Sequence, residues 1–216
     1  MYVALTPPTP HASAKEKARY RKPGSRDLAT TPITPVALAL RPLLLGVGLW
    51  ELLRNVSAWN TAEPWAATGH VYHEVPAVDF IAGTFLLLAG ASIRVACYRA
   101  LGTHFTFDLS LQEDHKLITD GPYAIVRHPS YTGFLLIAVG AMLTQLGPSS
   151  YWVQTGMWMT SSGKAAGFVY MVIVALSGII TFARIGKEDA MLQETFKEEW
   201  DEWAKRVPCK LVPYVY

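Results

Sequence analysis

The stretch FIAGTFLLLAGASI, Phe80 to Ile93, carries no charged side chain and runs too long for a core strand. Widened to about 77–98, it can cross roughly 30 Å of hydrocarbon at about 1.5 Å per residue. Asp79 and Arg94 lie near enough to its ends to snorkel. Three further runs share this character: about 33–53, interrupted by Arg41, Pro42 and Glu51; about 131–146, which is short; and about 165–184, apolar almost throughout. The composition agrees, with 51% of the 216 residues apolar and only 17% charged, outside the usual soluble range. The expected fold is all-α, a polytopic integral membrane protein with about four transmembrane helices.

The basic residues set the expected topology. Six Lys/Arg fall in residues 1–32 and six more from Arg184 onward, whereas about 55–76 and 147–163 are nearly free of them. By the positive-inside rule the N-terminal tail, the loop at about 99–130 and the C-terminal tail all face the cytosol. Trp59, Trp65, Tyr151, Trp152 and Trp158 then fall at the opposite interface, where amphipathic rings are favoured. Residues 1–32 have no apolar core, so they read as a disordered cytosolic tail rather than a cleavable signal. Residues 33–216 form the membrane domain.

A net charge of +2 gives no argument for nucleic acid. Cys97 and Cys209 have neither metal nor disulfide-framework spacing, and both are read as reduced; no metal site is expected. After the last span, Leu192, Phe196, Trp200 and Trp203 recur at helical intervals with acidic residues on the other faces. That pattern predicts an amphipathic cytosolic helix over about 186–205. A helix resting on headgroups is one reading, but its acidic outer face fits packing back over a site beside the spans better.

Two polar constellations carry chemistry. The loop HKLITDGPYAIVRHPSYTG, His115 to Gly133, turns at Gly121-Pro122 and enters the third span at Pro129, which biases His128 away from helix. Arg127, Ser130 and Tyr131 surround that imidazole with donors. A lone histidine there is more often structural than functional, so its neighbours give it weight. At the end of the fourth span, Arg184 and Glu188 share one helix face. An intrahelical ion pair is the plain reading; an arginine at the mouth of a spanning helix is also placed to bind a carboxylate arriving on a lipid tail. Glu188 with Asp189 could then face a cationic ligand.

The run GPYAIVRHPSYTG and the tail RIGKEDAMLQETFKEEWDEWAKRVP resemble the two signatures of the isoprenylcysteine carboxyl methyltransferase family, in order and in register. With Ala100-Leu101-Gly102 and Phe105, the likeness extends over about 77–213. It implies S-adenosylmethionine as cofactor, bound by His115, Lys116, Leu117, Ile118, Tyr123, His128, Pro129, Ser130, Tyr131 and Glu188. It implies that Arg184 binds the substrate carboxylate and, with Glu188, makes up the catalytic pair. The substrates would be prenylated protein C-termini after CaaX processing, handled in the lipid bilayer of the endoplasmic reticulum. The sequence departs from the family pattern at Asp189, where a second Glu is common, at Lys197, where Gly is common, and at Trp200 and Trp203, where Tyr is frequent. Against the fuller eukaryotic members, the expectation is a chain without their extra N-terminal helices.

Two other readings use similar loops. A phospholipid-type methyltransferase would take another lipid acceptor, and the RVP-ending tail argues against it. An NADPH-dependent sterol or lipid reductase would need basic residues for phosphates, yet the loop carries Asp108, Glu113, Asp114 and Asp120 against Lys116 and Arg127. A purely scaffolding role would not require Arg184, Glu188 and the His115 loop together.

Overall fold

The computed structural model describes residues 78–102 and 116–215, with Leu49 and Leu53. The N-terminal tail, nearly all of the expected first span, Trp59, Trp65 and His115 lie outside the described residues.

Every regular element among the described residues is helical. In chain order they are α1 (Val78–Leu101), a 3-10 turn (Gly121–Ala124), α2 (Pro129–Leu146), α3 (Tyr151–Gln154), a second 3-10 turn (Met157–Met159), α4 (Ser161–Phe196) and α5 (Glu198–Arg206). Three helical stretches, Val78–Leu101, Pro129–Gln154 and Ser161–Phe196, are long and apolar enough to cross a membrane. Phe85 and Leu88 on α1, Val139 on α2 and Phe168, Ile173, Leu176 and Ile179 on α4 are exposed. Such a coat suits lipid and not water. The remaining expected span, about 33–53, lies almost wholly outside the described residues.

α1 and α2 lie against one another through glycine. A Cβ on Gly90 would sit 2.4 Å from the Gly133 carbonyl oxygen, and one on Gly140 would sit 2.6 Å from that of Gly83. Lipid tails are as apolar as leucine, so burial alone does not drive spanning helices together; close backbone approach at small residues does. The two helices are tied at both ends as well. The Asp79 carboxylate at the start of α1 accepts from the Ser149 backbone N–H at 2.8 Å and from its hydroxyl at 2.5 Å. At the other end Arg94 donates to the carbonyl and hydroxyl of Ser130, both at 3.1 Å, and to the Tyr98 hydroxyl. Arg94 therefore does not snorkel: only 5% of it is exposed, and the first turn of α2 supplies the acceptors that make burial tolerable.

α3 and the second 3-10 turn carry the chain across to α4. The Ser150 hydroxyl accepts from Val153 N–H and the Thr160 hydroxyl accepts from Gly163 N–H, so both helix starts are capped. Trp152 and Trp158 meet edge to face here, with ring centroids 6.3 Å apart.

α4 departs from the expected division. A span at about 165–184 followed by a separate helix at about 186–205 is replaced by one helix of 36 residues. The charges from Arg184 onward end the apolar run without ending the backbone hydrogen bonding, and Gly186 is carried within the helix. The break falls at Lys197, with φ 48° and ψ −114°, a conformation that glycine adopts far more readily. Beyond it α5 turns back, and Trp200, Trp203 and Val207 bury themselves with Cys97 and Tyr123. Leu117, Ile118, Leu192 and Phe196 pack against this cluster, which stands where α1 ends and α2 begins.

Candidate active site

The start of α2 is shaped by Pro129. Tyr131 N–H and Thr132 N–H both donate to the His128 carbonyl, at 3.0 and 3.2 Å, so His128 stands just before the helix with its ring directed across to α4. His128 is 5% exposed, and its Nε2 lies 2.8 Å from Asp189 Oδ1. A carboxylate only accepts, so Nε2 is the nitrogen that carries a proton toward Asp189, and a ring with that single proton leaves Nδ1 as an acceptor. Nδ1 stands 4.0 Å from Glu188 Oε2. The same Glu188 oxygen accepts from the Tyr131 hydroxyl at 2.5 Å, and the Tyr131 ring lies nearly parallel to that of His128, 5.6 Å away.

Asp189 is held from the other side by two cations. Arg127 Nη2 and Lys210 Nζ approach its Oδ2 at 3.6 and 3.7 Å. Asp189 therefore faces an internal ring of donors, and Glu188 alone of the acidic pair remains turned to the space beside Tyr131. Arg184, one helical turn before Glu188, interacts electrostatically with the Tyr131 hydroxyl. Its place is about 6 Å nearer the apolar part of α4.

Tyr123 closes the opposite wall. Burial, reinforced by neighbouring Cys97 and Glu188, pushes its phenol well above the ordinary value, so it stays protonated and able to donate. Its backbone carbonyl accepts from the Trp203 indole at 3.1 Å. Two buried donors on this side, Arg127 Nε and Trp200 Nε1, have no acceptor among the described residues. The Arg127 guanidinium lies 5.5 Å above the Trp200 ring, so these donors belong to one neighbourhood.

The structure thus brings together Tyr123, His128, Tyr131, Arg184 and Glu188 at one end of the helices. Pro129 is buried as the first residue of α2, and Ser130 is occupied by Arg94. Leu117 and Ile118 pack on the aromatic cluster beside this space, while Lys116 is exposed. Sequence reasoning missed Arg127 and Lys210 as partners of Asp189. It also missed the tail, whose Cys209 and Lys210 carbonyls accept from Arg127 and His128 N–H at 3.0 and 2.8 Å. No metal-binding group of His, Cys, Asp or Glu occurs among the described residues.

The profile of the isoprenylcysteine carboxyl methyltransferase family matches residues 82–194, just over half of the chain. The chain belongs to this family. Among its isoprenylcysteine methyltransferase relatives, protein-S-isoprenylcysteine O-methyltransferase B of Arabidopsis thaliana is 31% identical over 135 residues, 62% of this chain and 58% of that one. The protein-S-isoprenylcysteine O-methyltransferase of Mus musculus is 26% identical over 195 residues, 88% of this chain and 61% of its own length. A delta(14)-sterol reductase of Mus musculus is 26% identical over 101 residues, 47% of this chain and 20% of that protein. The chain spans about 60% of the length of the methyltransferases it matches. The family match ends at residue 194, so α5 and the tail that meets Arg127 and His128 lie beyond it.

Proposed function

We propose that this protein uses S-adenosylmethionine to methyl-esterify the C-terminal prenylcysteine carboxylate of CaaX-processed proteins, at the cytosolic face of the endoplasmic reticulum membrane. The observation that carries the reading is the meeting of His128, Tyr131 and Glu188 at the end of three apolar helices, with Arg184 one turn closer to the apolar stretch. A water-soluble methyl donor and a lipid-anchored acceptor need such a boundary.

The residues present suit S-adenosylmethionine. Nδ1 of His128 and the Glu188 carboxylate are two acceptors facing one another, which fits a cationic amino group. The buried N–H groups of Arg127 and Trp200 meet no acceptor among the described residues, which fits carboxylate or ribose oxygens. Tyr123 and the 116–118 strand of loop would flank the adenosine, with His115 expected beside them. When bound, the cofactor supplies an electrophilic methyl group.

The acceptor carboxylate is already ionised at neutral pH, so the protein needs to position and desolvate it rather than remove a proton. Arg184 would bind one carboxylate oxygen and leave the other free, since it cannot deprotonate and offers a planar fork. Glu188, held by Tyr131, would keep the opposite charge on the cofactor side, so that the two reactants arrive on a single face of α4. Trp200 and Trp203, the buried residues of α5, would exclude water above them.

Transfer of label from S-adenosylmethionine to a farnesylcysteine analogue, in base-labile form, is the expected result for the protein in lipid. Cofactor binding without esterification would move the acceptor to another lipid. Reduction of a sterol with a nicotinamide donor, and no methyl transfer, would overturn the reading in favour of the reductase resemblance.

A further inference from the structure

Residues 207–212 follow α5 and return to the start of α2 as a strap. Arg127 N–H donates to the Cys209 carbonyl and His128 N–H to the Lys210 carbonyl, at 3.0 and 2.8 Å. One turn into α2, the Thr132 hydroxyl donates to the Leu211 carbonyl at 2.6 Å. The strap thus holds the backbone at Arg127 and His128 and the Thr132 side chain one turn further on. It also sends Lys210 Nζ back to within 3.7 Å of Asp189 Oδ2, on the carboxylate whose other oxygen receives His128 Nε2. Leu211 is 2% exposed and Val207 5%, so both ends of the strap are anchored by burial.

We propose that this C-terminal strap is part of the active site, with Lys210 and Asp189 acting as a positioning pair that presents Nδ1 of His128 to the cationic end of the cofactor. The inference rests on the S-adenosylmethionine reading above. Its logic is that of a histidine whose second nitrogen is fixed by an oriented carboxylate. Arg127 and Lys210 hold Oδ2, which leaves Oδ1 to fix both the rotation and the tautomer of the ring. Lys210 bears on Asp189, and Asp189 bears on His128, so the pair acts through His128.

The test uses the whole protein in detergent with histidines labelled in 15N, and the His128 resonances assigned by comparison with His128→Gln. The wild type should show Nε2 as the nitrogen that keeps its proton in the singly protonated ring. Lys210→Met and Asp189→Asn should each shift that signature toward a tautomer mixture. They should also weaken S-adenosylmethionine binding by about tenfold, the scale on which outer partners of a functional histidine act. The Michaelis constant for the farnesylcysteine analogue should hold. Lys210→Arg should restore both readouts, and Lys205→Met, which removes an exposed charge on α5, should match wild type. Wild-type tautomer signature and affinity in Lys210→Met and Asp189→Asn would overturn the proposal, as would failure of Lys210→Arg to rescue. The resonance test needs no cofactor: if the wild type binds no S-adenosylmethionine, the functional reading falls while the strap is still judged by the His128 signature.

Discussion

At the scale of single residues, the two neighbours Glu188 and Asp189 divide their work by helix geometry. Successive positions on a helix point about 100° apart, so Glu188 faces Tyr131 while Asp189 turns to His128, Arg127 and Lys210. The pair reads in sequence as one acidic patch, and only the folded tail shows that half of it is neutralised internally. Arg184→Ala should abolish methyl transfer by at least about 100-fold while leaving cofactor affinity within about threefold, measured by single-turnover transfer and by calorimetry. His128→Ala should do the reverse, weakening cofactor affinity without lowering the melting temperature by more than a few degrees. Lys197→Gly should stabilise the protein by about 1 kcal/mol, because the substitution removes the cost of a side chain at φ 48°. A lower melting temperature in that variant would count against this account of the α4–α5 break.

Among the elements, three of the four expected spans were legible because long uncharged runs have few other uses, and Pro129 marked the start of α2. The reach of α4 was not. Arg184, Lys187, Glu188 and Asp189 end the hydropathy signal, whereas a helix ends only when its backbone hydrogen bonding stops, here at Lys197. The Leu192, Phe196, Trp200, Trp203 stripe was visible, but not the turn that splits it between two helices. The partners of Asp189 were hidden for a similar reason: Lys210 lies 21 positions on, and its approach depends on α5 doubling back. The α1–α2 seam gives a direct check. Gly90→Ala or Gly133→Ala places a Cβ within 2.4 or 2.7 Å of a backbone oxygen, so each should cost about 1–3 kcal/mol in detergent. Trp203→Ala removes a 2%-exposed indole and its bond to the Tyr123 carbonyl; a loss of about 3–5 kcal/mol is expected from thermal melts.

Across the whole molecule, charge separates the two ends of the helices. The site end holds Arg99, Lys116, Arg127, Arg184, Lys187, Lys205, Arg206 and Lys210, while Lys164 is the only Lys or Arg at the other end among the described residues. In sealed endoplasmic reticulum vesicles with the cytosolic face outward, Tyr214→Cys should react with an impermeant maleimide, and Lys164→Cys should react only after detergent. Both positions are exposed, and a Cys209→Ser background removes the half-buried thiol. The reverse pattern would invert the proposed orientation. The length of α4 has one more consequence. Because the helix runs unbroken from Ser161 to Phe196, its apolar half and the half that carries the candidate site share one rotational phase. Inserting a single residue near Leu176 would turn everything beyond it by about 100° and carry Glu188 away from Tyr131, however well the longer span suited the bilayer. The same insertion in the turn at 155–160 would be absorbed before the helix begins. Tolerance to insertion along this chain is thus a map of where mechanical phase is kept and where it is forgotten.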